Sequence, residues 1–310
     1  MTSPEPLRRP TWRELIDQQD QVLARRQALA SGLSEAGWNW RLDNGYWRAV
    51  LPGVAVTHSG EPTDKQRAWA SVLHAGAGAA LSGDAALVEL GFSLRDLRTV
   101  DVCVPWPREV RGHDLLGGPR LKCHTVRHLS PWVHVGRALP VVRAEAAVLH
   151  ASSWAPTDRA AEWRIAAVVQ QGLATAPELR AALTAMPRLP RRAFLHEVID
   201  DVDLGAHAGS ELEFLRFCRR HRLPEPDQLQ VVVRAGGKRY VDARYLRQRV
   251  SVEVDGAHHR LVAQWDADAL RGLHLAVARQ GSGETQVRLT KGNMRHDASQ
   301  VASLLRQLLR

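Results

Sequence analysis

The sequence predicts a multidomain chain of mixed α+β and α/β class. Three observations carry this. The 310 residues, 45% apolar and 24% charged, have the balance of a soluble globular protein and suffice for two or three cores. Helix-start signals and short β-branched runs alternate along the chain. Near the C-terminus, residues 240–259 read as two strands joined by a tight turn, with carboxylates set inside apolar runs.

Residues 1–10 are Pro-rich and predicted to lack structure. Trp12–Asp20 reads as a first helix with Thr11 as N-cap. Ala24–Ser31 reads as a second, ending at Gly32, and Ser34 caps a third that runs to Asn44-Gly45. Trp47–Leu51 and Val54–Thr57 are strand-like runs around Pro52-Gly53. Three short helices and a two-stranded wing predict a winged helix-turn-helix domain over 11–60, with the third helix placed to enter a major groove.

Residues 61–206 form a mixed middle region. Lys65–Ala75, Gly83–Leu90, Arg143–Ser152, Asp158–Gly172 and Ala176–Met186 read as helices; Thr175 and Glu178 have capping-box spacing. Val100–Pro105 and Leu121–Val126 read as strands about a Gly/Pro-rich turn, Gly112–Pro119. His124, His128 and His134 are irregularly spaced and read as structural or surface histidines. Pro187–Arg192 reads as a linker.

The last domain, 207–310, begins with a helix capped by Ser210 with Glu213 in the capping-box position. Gln230–Arg234 is a strand, Gly236-Gly237 a turn, and the carboxylate hairpin follows. Ala263–Val277 reads as a helix, Gln286–Leu289 as a strand and Ala298–Leu309 as a closing amphipathic helix. The order is helix, β-meander, helix, strand, helix.

The hairpin carries the candidate chemistry. Val250, Val252 and Val254 alternate with Ser251, Glu253 and Asp255, the period of a half-buried strand. A hairpin symmetric about Arg247-Gln248 pairs residues whose numbers sum to 495, which sets Asp242 across from Glu253. Directly opposed side chains have Cβ atoms roughly 4.5–5.5 Å apart, so the two carboxylates are placed to clamp one metal ion. A one-residue slip breaks the arrangement, and Arg247-Gln248 is not a strong turn dipeptide. Ionised carboxylates are costly to bury unless offset, and a hard divalent cation is the simplest offset. The alternative is a set of surface carboxylates on a solvated sheet face.

Charge distribution points the same way. Residues 1–60 carry 7 basic and 6 acidic side chains, residues 61–206 carry 17 and 16, and residues 207–310 carry 18 and 11. The last segment therefore holds +7 of the net +9. An acidic cluster in a basic surround suits a polyanion. Arginine supplies 38 of the 42 basic residues, so genome composition contributes to the excess. Cys103, Cys123 and Cys218 are scattered and odd in number, fitting neither a disulfide framework nor a zinc site. Neither a signal peptide nor a membrane span is expected, and the expected compartment is the cytoplasm.

Two resemblances extend this reading. Arg25-Arg-Gln-Ala-Leu-Ala-Ser-Gly-Leu-Ser34, Tyr46-Trp-Arg and Leu51-Pro-Gly-Val54 are similar to the N-terminal winged-helix region of AbiEi-family antitoxins. That implies a DNA-binding autoregulator of a type IV toxin–antitoxin system, with a toxin or a second copy as partner. Val252-Glu-Val-Asp-Gly256, His258-His259, Asp268 and Arg271, with Glu211 and Asp242 before them, resemble the PD-(D/E)xK nuclease superfamily. The branch resembled is that of very-short-patch-repair endonucleases. The resemblance implies a restriction-endonuclease-like core that hydrolyses DNA phosphodiesters with Mg²⁺ or Mn²⁺, in defence, repair or mobile-element control. Asp242 and Glu253 are then the metal ligands, and Glu211 a further ligand through water. Asp255 stands where the superfamily pattern has lysine; it is a second ligand or an acceptor orienting water. His258 or His259 takes the proton, and Arg271 either supplies positive charge to the phosphate or pairs with Asp268 in its own helix. A non-catalytic DNA-binding regulator and a pure interaction protein are the alternatives.

Overall fold

Several helix starts are fixed by side chains that accept otherwise orphaned backbone N–H groups. Thr11, Thr63 and Thr175 form reciprocal capping boxes with Glu14, Gln66 and Glu178, and Ser34 and Thr157 accept from Gly37 and Ala160. The computed structural model describes residues 10–94, 96–204, 210–234, 238–255, 262–278 and 285–310. Among them are thirteen α-helices and ten strands in three sheets. The chain forms two compact units, 1–151 and 152–310. Among the described residues, no helix is long and apolar enough to cross a membrane.

The first unit opens with α1 (Trp12–Gln18), β1 (Val22–Ala24), α2 (Arg25–Ala30) and α3 (Glu35–Asp43). A hairpin of β2 (Arg48–Leu51) and β3 (Val54–Val56) follows, and the antiparallel sheet runs β1-β3-β2. Gly53 turns the hairpin at φ +72°, a conformation that L side chains rarely adopt. Leu23, Ala28, Trp38, Trp47 and Ala55 are buried together, with Trp12 packed against them. Trp47 meets Trp12 and Trp38 edge-on, at centroid distances of 6.0 and 5.4 Å. Arg41, the one cation of α3, lies over Trp12 and Trp47 at 5.3 and 5.2 Å.

The unit continues with α4 (Asp64–Ala75), β4 (Ala80–Ser82), α5 (Gly83–Glu89), β5 (Thr99–Pro105), β6 (Arg120–Val126) and α6 (Ala144–Ser153). The sheet order is β4-β5-β6, with β5 antiparallel to β4 and parallel to β6. Leu81, Val102, Val104 and Leu121 are fully buried in it.

The second unit holds α7 (Asp158–Gln170), α8 (Ala176–Ala185), α9 (Arg192–Leu204) and α10 (Ser210–Arg220). Then come β7 (Gln228–Arg234), β8 (Lys238–Tyr245), β9 (Val250–Asp255), α11 (Val262–Ala278), β10 (Thr285–Thr290), α12 (Lys291–His296) and α13 (Ala298–Leu308). The sheet order is β10-β9-β8-β7. β7, β8 and β9 form an antiparallel meander, and β10 returns parallel to β9. A parallel neighbour requires a crossover, which α11 supplies. Phe214, Tyr245, Val250, Val252, Leu273, Val287, Leu289 and Leu305 belong to its core.

Four described α-helices and strands have no counterpart in the sequence reading. β1 and β4 are three residues each, too short to show a period. α9 follows the segment read as a linker and buries Leu195, Val198, Ile199 and Val202, a helical spacing. α12 is a six-residue helix capped by Thr290. Ser210 is itself the first helical residue of α10, and Glu213 meets Lys291 Nζ at 3.2 Å.

Buried charge ties the helices of this unit to its C-terminal elements. Glu162 of α7, only 8% exposed, is met by Arg295 at 3.0 Å and accepts from His296 Nε2. Arg295 also binds Asp201 of α9, and Arg159 binds Asp297. Burial pushes the Glu162 carboxyl up, but the hydrogen bond from His296 and the charge of Arg295 outweigh it, holding the carboxyl below its usual range. A depressed folded pKa contributes stability at higher pH that is lost as pH falls through it. Glu162→Gln is expected to cost about 3–5 kcal/mol near neutral pH, the usual penalty for orphaning a buried charge. The cost should shrink as the pH falls below the ordinary glutamate range. Urea unfolding of both proteins at a series of pH values checks this; a cost that does not vary with pH would refute the assignment.

Candidate functional site

The site is built on the β8–β9 ladder. Ala243 pairs with Val252, Arg244 with Ser251 and Tyr245 with Val250, so paired numbers sum to 495. This is the register expected from a turn centred on Arg247-Gln248. The turn dipeptide does not set it alone. Arg249 adopts φ +57°, the Leu246 N–H donates to Asp227 Oδ2 at 2.7 Å, and the Thr285 N–H donates to Arg249 O at 2.7 Å. Contacts from β10 and from the segment before β7 thus hold the turn.

The register sorts the side chains. Ala243, Tyr245, Val250, Val252 and Val254 lie in the core. Asp242, Arg244, Ser251 and Glu253 therefore share the opposite face. The paired residues of β8 and β9 end at Ala243 and Val252; the same register carried one residue further would set Asp242 opposite Glu253. Asp242 Oδ2 accepts the Val254 N–H at 2.6 Å, which fixes the carboxylate against β9. Glu253 is 27% exposed and accepts from Arg288 of β10, with Nη2 and Nε at 3.0 and 3.4 Å from one oxygen, Oε2. Arg288 is the residue in register with Glu253 on the parallel strand.

The other candidates divide into two groups. Arg271 and Asp268 lie on α11 and pair at 3.1 Å, with side chains 71% and 60% exposed. Such a pair contributes little and exchanges readily for another anion. Asp255 is the last residue of β9, in register with Thr290, but its side chain lies outside the described residues. The Glu211 side chain lies outside them too, as do His258, His259 and the Gly236-Gly237 turn. Among the described residues, no group of three or more His, Cys, Asp or Glu side chains converges as a metal site.

Sequence reasoning missed two paired cations of this unit, Arg288 on Glu253 and Lys291 on Glu213. Arg288 sits within an alternating Gln286-Val-Arg-Leu pattern whose parity matches that of Glu253. Lys291, 6% exposed, follows Thr290 directly and pairs with Glu213 of α10. Lysine is rare in this chain, 4 of 42 basic residues, and a lysine closing a strand was the available signal.

Of the three histidines read as structural or surface, His128 and His134 are exposed and His124 is paired; His150 is outside that reading. His124 Nε2 meets Asp101 Oδ1 at 2.7 Å across β5 and β6. His150 is buried with its Nδ1 2.8 Å from Ser82 Oγ. Burial, then the nearby charge of His124, pushes His150 down to about 4, so it is neutral at physiological pH.

No protein-family model matches the chain, and no curated protein matches it.

Arg288→Ala should cost less than about 1 kcal/mol, because its pair with Glu253 is partly solvated. A denaturant midpoint that moves by much more would give the pair a structural role that its exposure does not suggest.

Proposed function

We propose that the chain is a metal-dependent DNA endonuclease whose site is centred on Asp242 and Glu253. The observation carrying this reading is the placement of the two carboxylates. Both lie on the non-core face of a four-stranded sheet of order β10-β9-β8-β7, next to the last paired residues, Ala243 and Val252. Both are hard oxygen donors, which suits Mg²⁺ or Mn²⁺, and such ions keep several waters, so two protein carboxylates suffice as anchors. A bound divalent ion would supply polarisation of the scissile phosphate and an attacking water of lowered pKa.

The chain's own residues would then orient and compensate. Asp242 is held by the Val254 N–H, so its position is set by the sheet. Arg288, already on Glu253, supplies positive charge where the superfamily pattern places a lysine and this chain has Asp255. Arg271 would leave Asp268 for a phosphate oxygen. Asp255 and Glu211 are the further ligands of the reading, and His258 or His259 carries the proton.

A second reading, a non-catalytic DNA-binding regulator acting with a toxin or a second copy, rests on other observations. The first three helices and the β2–β3 hairpin are in the order of a winged helix-turn-helix. The Arg288 guanidinium on Glu253 is also what a sheet that holds no metal would use to balance its charge. Against major-groove insertion, α3 turns its one cation onto indoles and exposes Trp40, stacked on Tyr46 at 5.1 Å.

The test is nicking of supercoiled plasmid with Mn²⁺ by wild type, Asp242→Ala and Glu253→Ala purified in parallel. Wild type should nick and both variants should fall to background. Equal nicking by all three would mark a contaminant and sink the assignment. Salt-dependent DNA binding without nicking would favour the regulator.

A further inference from the structure

We propose that Arg26, His74, Arg108 and His113, in the first unit, form a binding site for a single phosphate group. Arg26 comes from α2, His74 from the last turn of α4, and Arg108 and His113 from the segment between β5 and β6. The His74 and His113 rings meet edge-to-face with centroids 4.9 Å apart. Arg26 donates through Nη2 to Leu73 O, and Arg108 Nη2 donates to Ala77 O at 2.6 Å. Four groups able to carry positive charge are thus gathered about the end of one helix.

Their charge is not balanced within the protein. No described carboxylate pairs with Arg26, His74, Arg108 or His113. The charges felt most by Arg26 and His74 are those of their cationic neighbours: Arg108 at Arg26, and His113 and Arg26 at His74. The carbonyls at the end of α4 explain part of the gathering. A helix C-terminus, however, offers only about half an elementary negative charge, against two full guanidinium charges. The Arg108 Nε–H is buried without a hydrogen-bond partner. A buried donor in that state calls for an acceptor, and a water or an ion can supply one. A tetrahedral oxyanion would satisfy it and neutralise the cluster.

His74 gives the site a direct readout. Its Nδ1 lies 3.1 Å from Pro52 O, and a carbonyl only accepts, so Nδ1 carries the proton of the neutral ring. Nε2 is then the atom that gains a proton when an anion arrives. The groups set around this ring are Arg26, His113 and the Pro52 carbonyl. Burial pushes His74 down, the Pro52 bond raises it in part, and His113 and Arg26 push it down again. Binding an anion reverses the cationic contribution, so it is coupled to proton uptake and tightens as pH falls.

The experiment follows the His74 ring proton of the full chain by NMR across a pH titration, alone and with sodium phosphate, sodium sulfate or a short blunt DNA duplex. Sulfate keeps one charge state through the titration, so it isolates the protein's own proton. The expected result is an upward shift of the His74 midpoint with phosphate and sulfate, and tighter sulfate binding at pH 6 than at pH 8. Arg108→Gln should weaken binding about tenfold or more, the worth of one hydrogen bond to a charged group. His113→Asn, whose ring holds no described backbone carbonyl, should weaken it while leaving thermal unfolding unchanged. A shift with free anions alone assigns the site to a small phosphate; a shift with duplex as well assigns it to the nucleic-acid backbone. A His74 midpoint unmoved by any of the three, or anion binding retained in Arg108→Gln and His113→Asn alike, would overturn the proposal.

Discussion

The placement of the candidate site depends on the register of one antiparallel pair. Side chains along a strand alternate between faces, so slipping β9 by one residue against β8 would bury Glu253 and expose Val252 and Val254. Apolar burial opposes the slip: the three valines of β9, Ala243 and Tyr245 all enter the core. The turn opposes it from outside, because Asp227 holds the Leu246 amide and Arg249 the Thr285 amide. The carboxylates occupy their face because the opposite face is committed to packing.

That commitment organises the rest of the unit. β10 lies parallel to β9, which places Arg288 against Glu253 and requires α11 to cross over. α11 exposes Asp268 and Arg271 in doing so. The end of β10 leads directly into the buried Lys291 and on to Arg295 and His296, which meet the carboxylates of α7 and α9. Acid and base are thus brought together by backbone topology over residues far apart in the chain.

Much of this was legible in the sequence, for identifiable reasons. The period-two pattern of Val250, Val252 and Val254 gave both the strand and its faces, and the turn about Arg247-Gln248 gave the register of Ala243 with Val252, Arg244 with Ser251 and Tyr245 with Val250. Threonine and serine caps marked the starts of α1, α3 and α8. The paired elements outside these signals were not legible. β1 and β4 have three residues and owe their conformation to partners distant in sequence. Arg288 and Lys291 gained their place beside carboxylates through the crossover, which no local spacing records. The cluster of Arg26, His74, Arg108 and His113 is assembled from three separate segments, and none of them carries a motif.

The buried ion pairs of the second unit also bear on how this protein can be taken apart. A fragment beginning at residue 207 keeps every strand of the four-stranded sheet but removes Glu162 and Asp201. Arg295 and His296 would then lose their carboxylate partners, and α11 would lose α7, which packs against it. Such a fragment would carry an artificial cationic patch able to attract polyanions for reasons unrelated to the intact chain. A test for nucleic-acid binding by the sheet therefore belongs on 152–310, where those two side chains keep their partners.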